Sequence, residues 1–140
     1  MGPDLFADVP WPVWVAAVLV VVLVVTRLAA QGSAARDARR MFSAAERAAG
    51  FARAGNQCEF ARWVVFRCTR TATHGDHFIP WSKGGATSMR NFVAACPTCN
   101  TTKGAVMPSR AARSLMAARR RRYFPVGVPR EAGEWCGAVQ

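Results

Sequence analysis

Four of the five cysteines fall between Cys58 and Cys99, and the last two stand as Cys96-Pro-Thr-Cys99. Thiolates at this spacing suit a tetrahedral zinc ion, and a closed site of four would staple a domain too small to be held by its core alone. Cys58, Cys68, Cys96 and Cys99 are the expected ligand set. Cys58 and Cys68 are separated by EFARWVVFR, an apolar and aromatic insert that predicts a short hairpin with Trp63 and Phe66 packed on the domain. Cys136, flanked by Trp135 and Gly137, reads as a free thiol. Disulfide pairing is the competing reading of the four, and it conflicts with the reducing compartment inferred below.

A second concentration of chemistry runs from His74-Gly-Asp76-His77 to Lys103. Asp76 offers hard oxygen ligands of the sort Mg2+ accepts, and His77 is a side chain that takes a proton from water near neutral pH. Two cations of different character are expected: a structural Zn2+ and a catalytic Mg2+ or other divalent ion.

The order of residues here resembles the HNH endonuclease family. Asp76-His77 matches its Asp-His pair, Pro80 and Gly84-Gly85 its hairpin loop and Asn91 its middle asparagine, and Cys96-Pro-Thr-Cys99-Asn100 with Lys103 matches its CxxCNxxK helix start. The resemblance covers roughly residues 56 to 108. It implies an α+β fold of the small ββα-metal type, in which a β-hairpin and a helix enclose one catalytic metal. It also implies hydrolysis of DNA phosphodiester bonds, with RNA not excluded. Asp76 and Asn100 would hold the divalent ion, His77 would be the general base, and Asn91 would fasten the loop backbone so that the imidazole points at water. The spacing of Cys58 and Cys68 departs from the two-residue gap of many members. Blander roles stand beside these: helix capping for Asn100, turn closure for Asn91, and solvation for Lys103 and His74, which otherwise contact substrate.

The N-terminal segment carries a different signal. From Val9 to Thr26 the chain is uncharged and valine-rich, and with Leu28 to Ala30 beyond Arg27 it predicts a single transmembrane helix over residues 9–30. Asp4 and Asp8 lie before it, whereas all 19 Lys and Arg lie from Arg27 onward, with Arg36, Arg39 and Arg40 close behind. The positive-inside rule then places residues 1–8 outside and the rest in the cytoplasm, with the lipid bilayer as a partner. A secretory signal peptide is disfavoured because no basic residue precedes the apolar run.

The formal net charge of +11 predicts association with polyanions. Residues 31–55 read as a juxtamembrane helical linker, with Ser43-Ala-Ala-Glu46 as a capping box and Gly55 at its end. The Cys-rich domain follows over 56–108. Residues 109–140 read as a basic helix, with Arg119 to Arg122 a solvated or phosphate-binding run, and a loosely ordered tail from Gly127. The alternatives to a nuclease are a nonenzymatic zinc-containing nucleic-acid-binding module and a membrane adaptor that recruits a protein. A mere scaffold needs the cysteines and not Asp76, His77 and Asn100 together, which favours the enzyme.

Overall fold

The computed structural model describes residues 10–32, 36–63 and 66–137, with side chains of the first helix described to Arg27. The expectations for residues 1–9, 33–35, Val64, Val65 and 138–140 lie outside it. The chain divides into two units, Met1–Ala34 and Ala35–Gln140.

In the first unit, α1 runs over Trp11–Gly32, and its described valine and leucine side chains are exposed. Among the described residues, no helix is long and apolar enough to cross a membrane. The helix begins only after Pro10, and its uncharged stretch from Trp11 to Thr26 rises about 24 Å before Arg27, short of the roughly 30 Å of bilayer hydrocarbon. The transmembrane span over 9–30 is therefore not supported. The bilayer partner, the membrane localisation and the outside placement of the N-terminus fall with it.

The second unit is a small α+β fold. It contains α2 (Ala44–Arg53), β1 (His74–His77), a 3-10 turn (Trp81–Lys83), β2 (Phe92–Ala95), α3 (Pro97–Lys103) and α4 (Arg110–Arg120). The two strands are antiparallel, with His74 opposite Ala95 and His77 opposite Phe92. The helix expected within residues 31–55 starts at Ala44, where the Ser43 side chain accepts from Glu46 N and the Glu46 side chain accepts in return from Ser43 N. Residues 36–42 are not helical, and their polar groups serve the site described below.

All four residues of β2 are buried, because both of its faces are covered. Side chains alternate along a strand. Phe92 and Ala94 accordingly join Phe42, Ala54 and Ala72 on one side, while Val93 joins Phe78, Met116 and Ala132 on the other. Gly50 of α2 and Gly75 of β1 admit the Phe92 ring: a Cβ on either would lie 2.3 Å or 2.5 Å from its carbons.

A buried ion pair ties two distant parts of this unit. Arg120 and Glu59 are both fully buried, Arg120 Nε lies 2.7 Å from Glu59 Oε2, and Tyr123 donates its hydroxyl to the same carboxylate at 3.0 Å. Glu59 Oε1 also accepts from Ala94 N, and Arg120 Nη2 donates to Phe92 O. The solvated basic run expected over 119–122 is thus corrected: Arg119 and Arg120 face inward, and Arg121 and Arg122 face solvent. The loosely ordered tail is corrected as well. Ala86 N donates to Glu134 O, Gly133 N to Arg90 O and Cys136 N to Gly84 O, so residues 132–136 strap the loop between the strands.

Candidate functional site

The cysteines converge. The Sγ atoms of Cys58, Cys68, Cys96 and Cys99 all lie within 4.8 Å of one another, and Cys68 and Cys96 are 3.9 Å apart. Zn–S bonds of about 2.3 Å in a tetrahedron put sulfurs about 3.8 Å apart, so four thiolates fit this cage with little contraction. Cys96 is the N-cap of α3, with Pro97 at the first helical position, and its sulfur accepts from Cys99 N. This local turn fixes one half of the site.

The other half comes from the insert, where isolated antiparallel bridges join Gln57 to Thr71 and Ala61 to Arg67. Trp63 and Phe66 do not pack on the domain as expected, being 71% and 63% exposed, whereas Phe60 of the same insert packs against the core. Burial pushes the Cys58 and Cys99 thiols up from the ordinary range. Such thiols ionise only when a cation compensates their charge. Cys136 stands apart from the cluster.

The second constellation lies at β1. The Asp76 carboxylate meets Lys103 Nζ of α3 at 2.9 Å, and that ammonium also donates to His77 O at 2.6 Å. Burial raises the Asp76 carboxyl above its usual value, against the pull of Lys103. Apart from this ion pair, its buried Oδ2 has no hydrogen-bond partner. An acceptor left in this state suits a further cation, and Asn100 lines the same cleft with an amide oxygen of the right hardness. His74 is exposed at the rim, its Nδ1 2.9 Å from Thr73 Oγ1.

His77 is held from the opposite side. Its ring stacks at 4.5 Å from the Phe42 ring, and its Nε2 lies 3.0 Å from Thr87 Oγ1. The Thr87 hydroxyl donates to Arg39 O, which commits its one proton. The oxygen then accepts from His77 Nε2–H, leaving the Nδ1 lone pair for chemistry. Burial, with help from nearby Lys103 and Arg40, lowers the His77 pKa to about 4. The imidazole is therefore neutral at physiological pH, with its Nδ1 lone pair unprotonated.

Thr87 is fixed in turn by the segment ahead of α2. Its backbone N–H donates to Asp37 Oδ2 at 2.8 Å and its carbonyl accepts from Arg39 Nη2 at 2.8 Å, while Arg39 forks onto Glu46. The hydrogen bonds from the Thr87 and Arg39 amides hold Asp37 below the usual carboxylate range. Asn91 fastens the loop itself. Fully buried, it accepts from Ile79 N at 2.8 Å and donates to Ile79 O at 3.0 Å and Ala86 O at 2.8 Å. Gly85 is required here, since a Cβ would fall 1.9 Å from Ile79 O.

Residues 63–105 match the HNH endonuclease family model. The HNH match contains Asp76, His77, Asn91, Asn100, Lys103 and three of the four clustered cysteines, and leaves Cys58 outside. No curated protein and no solved structure matches the chain. The HNH match supports a nuclease or nucleic-acid-binding function, and the four clustered thiols are arranged to bind a metal. Thr87, Asp37 and Arg39 were not foreseen, because no spacing marks a threonine that bridges a histidine to a carbonyl in a distant segment.

Proposed function

We propose that this chain is a divalent-metal-dependent HNH endonuclease that hydrolyses phosphodiester bonds of DNA, stapled by a structural zinc ion on Cys58, Cys68, Cys96 and Cys99. The observation that carries the reading is the convergence of a neutral His77 imidazole, the Asp76 carboxylate and Asn100 on one cleft within the family match. Asp76 and Asn100 would hold the divalent ion, which when bound supplies charge neutralisation at the scissile phosphate and at the departing oxygen. His77 takes a proton from the attacking water at Nδ1, with Nε2–H anchored on Thr87. Asn91 keeps the loop that carries Pro80 and Gly84-Gly85 in register with β1, and so holds the imidazole in its orientation.

One observation favours the nonenzymatic nucleic-acid-binding module. The Lys103 ammonium already neutralises Asp76, and a divalent ion has to share or displace that contact. Nicking of supercoiled plasmid by the full chain with Mg2+ or Mn2+, run beside His77→Ala, separates the two. Cleavage lost in the variant, with zinc content and fold retained, is the expected result. A folded, zinc-loaded wild type that binds DNA and never cuts it with any divalent ion is the module.

A further inference from the structure

The cleft at Asp76 and His77 has two arms. One, of about 270 Å3, is bordered by His74 and Asn100 together with Arg40 and Arg47. The other, of about 400 Å3, is bordered by Arg36, Arg40, Trp81 and Ser82. Arg40, Asp76 and His77 belong to both arms, so a linear ligand entering by one arm and leaving by the other passes the candidate reacting residues.

The arginines of this wall divide into two kinds. Arg39 is satisfied by Glu46 and by Thr87 O, and it serves the fold. Arg36 and Arg40 are exposed, and among the described residues neither has a carboxylate within ion-pair distance. Both guanidinium groups instead lie against one indole, 5.3 Å and 5.5 Å from the Trp81 ring centroid. Trp81 is itself anchored, its Nε1 donating to Asp37 O at 2.9 Å. Two like charges gathered on one fixed ring, with Arg47 on the other arm and the Asp76 carboxylate already paired by Lys103, leave a net positive field in a concavity, where it is most effective at drawing in an anion. Planar guanidinium groups on an aromatic platform suit phosphate oxygens, which they bind through paired N–H donors.

We propose that Arg36 and Arg40, set on Trp81, bind the phosphodiesters on one side of the bond presented to Asp76 and His77, and that Arg47 binds the backbone on the other side. The groove would be completed by the segment ahead of α2, outside the family match. The inference rests on the nucleic-acid reading of the same cleft. The chemistry recognised is the phosphodiester backbone, common to DNA and RNA.

The test is a binding titration of the zinc-loaded full chain with a labelled duplex DNA and with RNA of the same sequence, without Mg2+ or Mn2+, from 50 to 200 mM salt. Each phosphate contact on duplex DNA contributes about 0.9 to the slope of log affinity against log salt. Arg36→Gln/Arg40→Gln should lower that slope by about 2, so that over this range the wild type loses about tenfold more affinity than the variant. Arg36→Lys/Arg40→Lys should keep most of the slope, and Arg121→Gln/Arg122→Gln, at exposed arginines outside both arms, should leave it unchanged. An unchanged slope in the first variant, or an equal drop in the last, overturns the groove.

Binding and cleavage fail separately. A wild type that binds with the predicted slopes but does not cut keeps the groove and ends the nuclease reading. One that cuts while the Arg36→Gln/Arg40→Gln slope is unchanged ends the groove alone. A wild type that binds neither nucleic acid ends both.

Discussion

Cys58 and Glu59 are neighbours in the chain, yet they enter two different fastenings. Cys58 belongs to the thiol cage, which draws the insert onto α3, and Glu59 belongs to the buried pair with Arg120, which draws α4 onto β2. The cage would gain its strength from an ion that binds the folded chain more tightly than the unfolded one. The ion pair has no such external source. Its attraction must offset the cost of removing both charges from water, and it does so only because Tyr123, Ala94 N and Phe92 O satisfy the remaining hydrogen-bonding groups. From two adjacent residues the small domain is thus fastened in two ways, one that calls on a metal ion and one that relies on hydrogen bonding.

The largest expected effect falls on the cage. Cys96→Ser removes one zinc ligand while leaving a hydroxyl able to cap α3, and structural zinc sites contribute on the order of 10 kcal/mol to folding. The variant should lose its zinc and its near-ultraviolet circular dichroism, as should the wild type treated with a strong chelator. Full zinc retention in the variant breaks the comparison at its stronger end.

Next comes the ion pair. Arg120→Ala leaves the Glu59 charge buried without its partner and should cost about 3–5 kcal/mol in urea denaturation. Arg120→Met combined with Glu59→Gln removes both charges at similar volume and should recover much of that loss. If the double substitution is no better than the single, Arg120 acts through its bonds to Phe92 O and Glu131 O and not through the pair.

The smallest effect is a pH dependence that belongs to neither fastening. His77 has a pKa near 4 in the folded chain, below the value of about 6.5 for a free imidazole. Below about 6.5 the unfolded chain takes up a proton that the folded chain refuses. The stability associated with neutral His77 is therefore complete above that pH, falls as pH drops towards about 4, and then levels off. His77→Gln should show a shallower decline than the wild type across this window in zinc-loaded protein. Parallel curves would show that the folded imidazole protonates like the free one.

What was legible in the chain follows the range of each interaction. The CxxC turn and the Ser43 capping box are short-range patterns, whereas the order Asp76-His77, Asn91, Asn100 is legible through the family resemblance. The structure shows the four clustered thiols, the cap, and Asp76, His77 and Asn100 on one cleft with Asn91 in the loop beside it. The membrane reading failed for a related reason. An apolar run was extended across Arg27 and back over Pro10, although the helix starts only at Trp11 and, among the described residues, none is long and apolar enough to span a bilayer. That reading also assigned Arg36, Arg39 and Arg40 to the flank of a membrane helix. In the fold Arg36 and Arg40 line the cleft on Trp81, and Arg39 fastens Thr87 and Glu46, contacts that sequence order does not reveal.

The sequence by itself determined which atoms were available: four soft thiolates, a carboxylate beside an imidazole, two asparagines and an excess of arginine. Ligand chemistry and helix caps depend on residue type and on separations of a few positions, so they survive being read as text. Only the tertiary structure decided that Arg120 is a core residue, that Thr87 orients His77 and that the tail straps the loop between the strands. Each of these pairs groups far apart in the chain, and whether an arginine is solvated or buried depends on whether a distant carboxylate arrives to meet it.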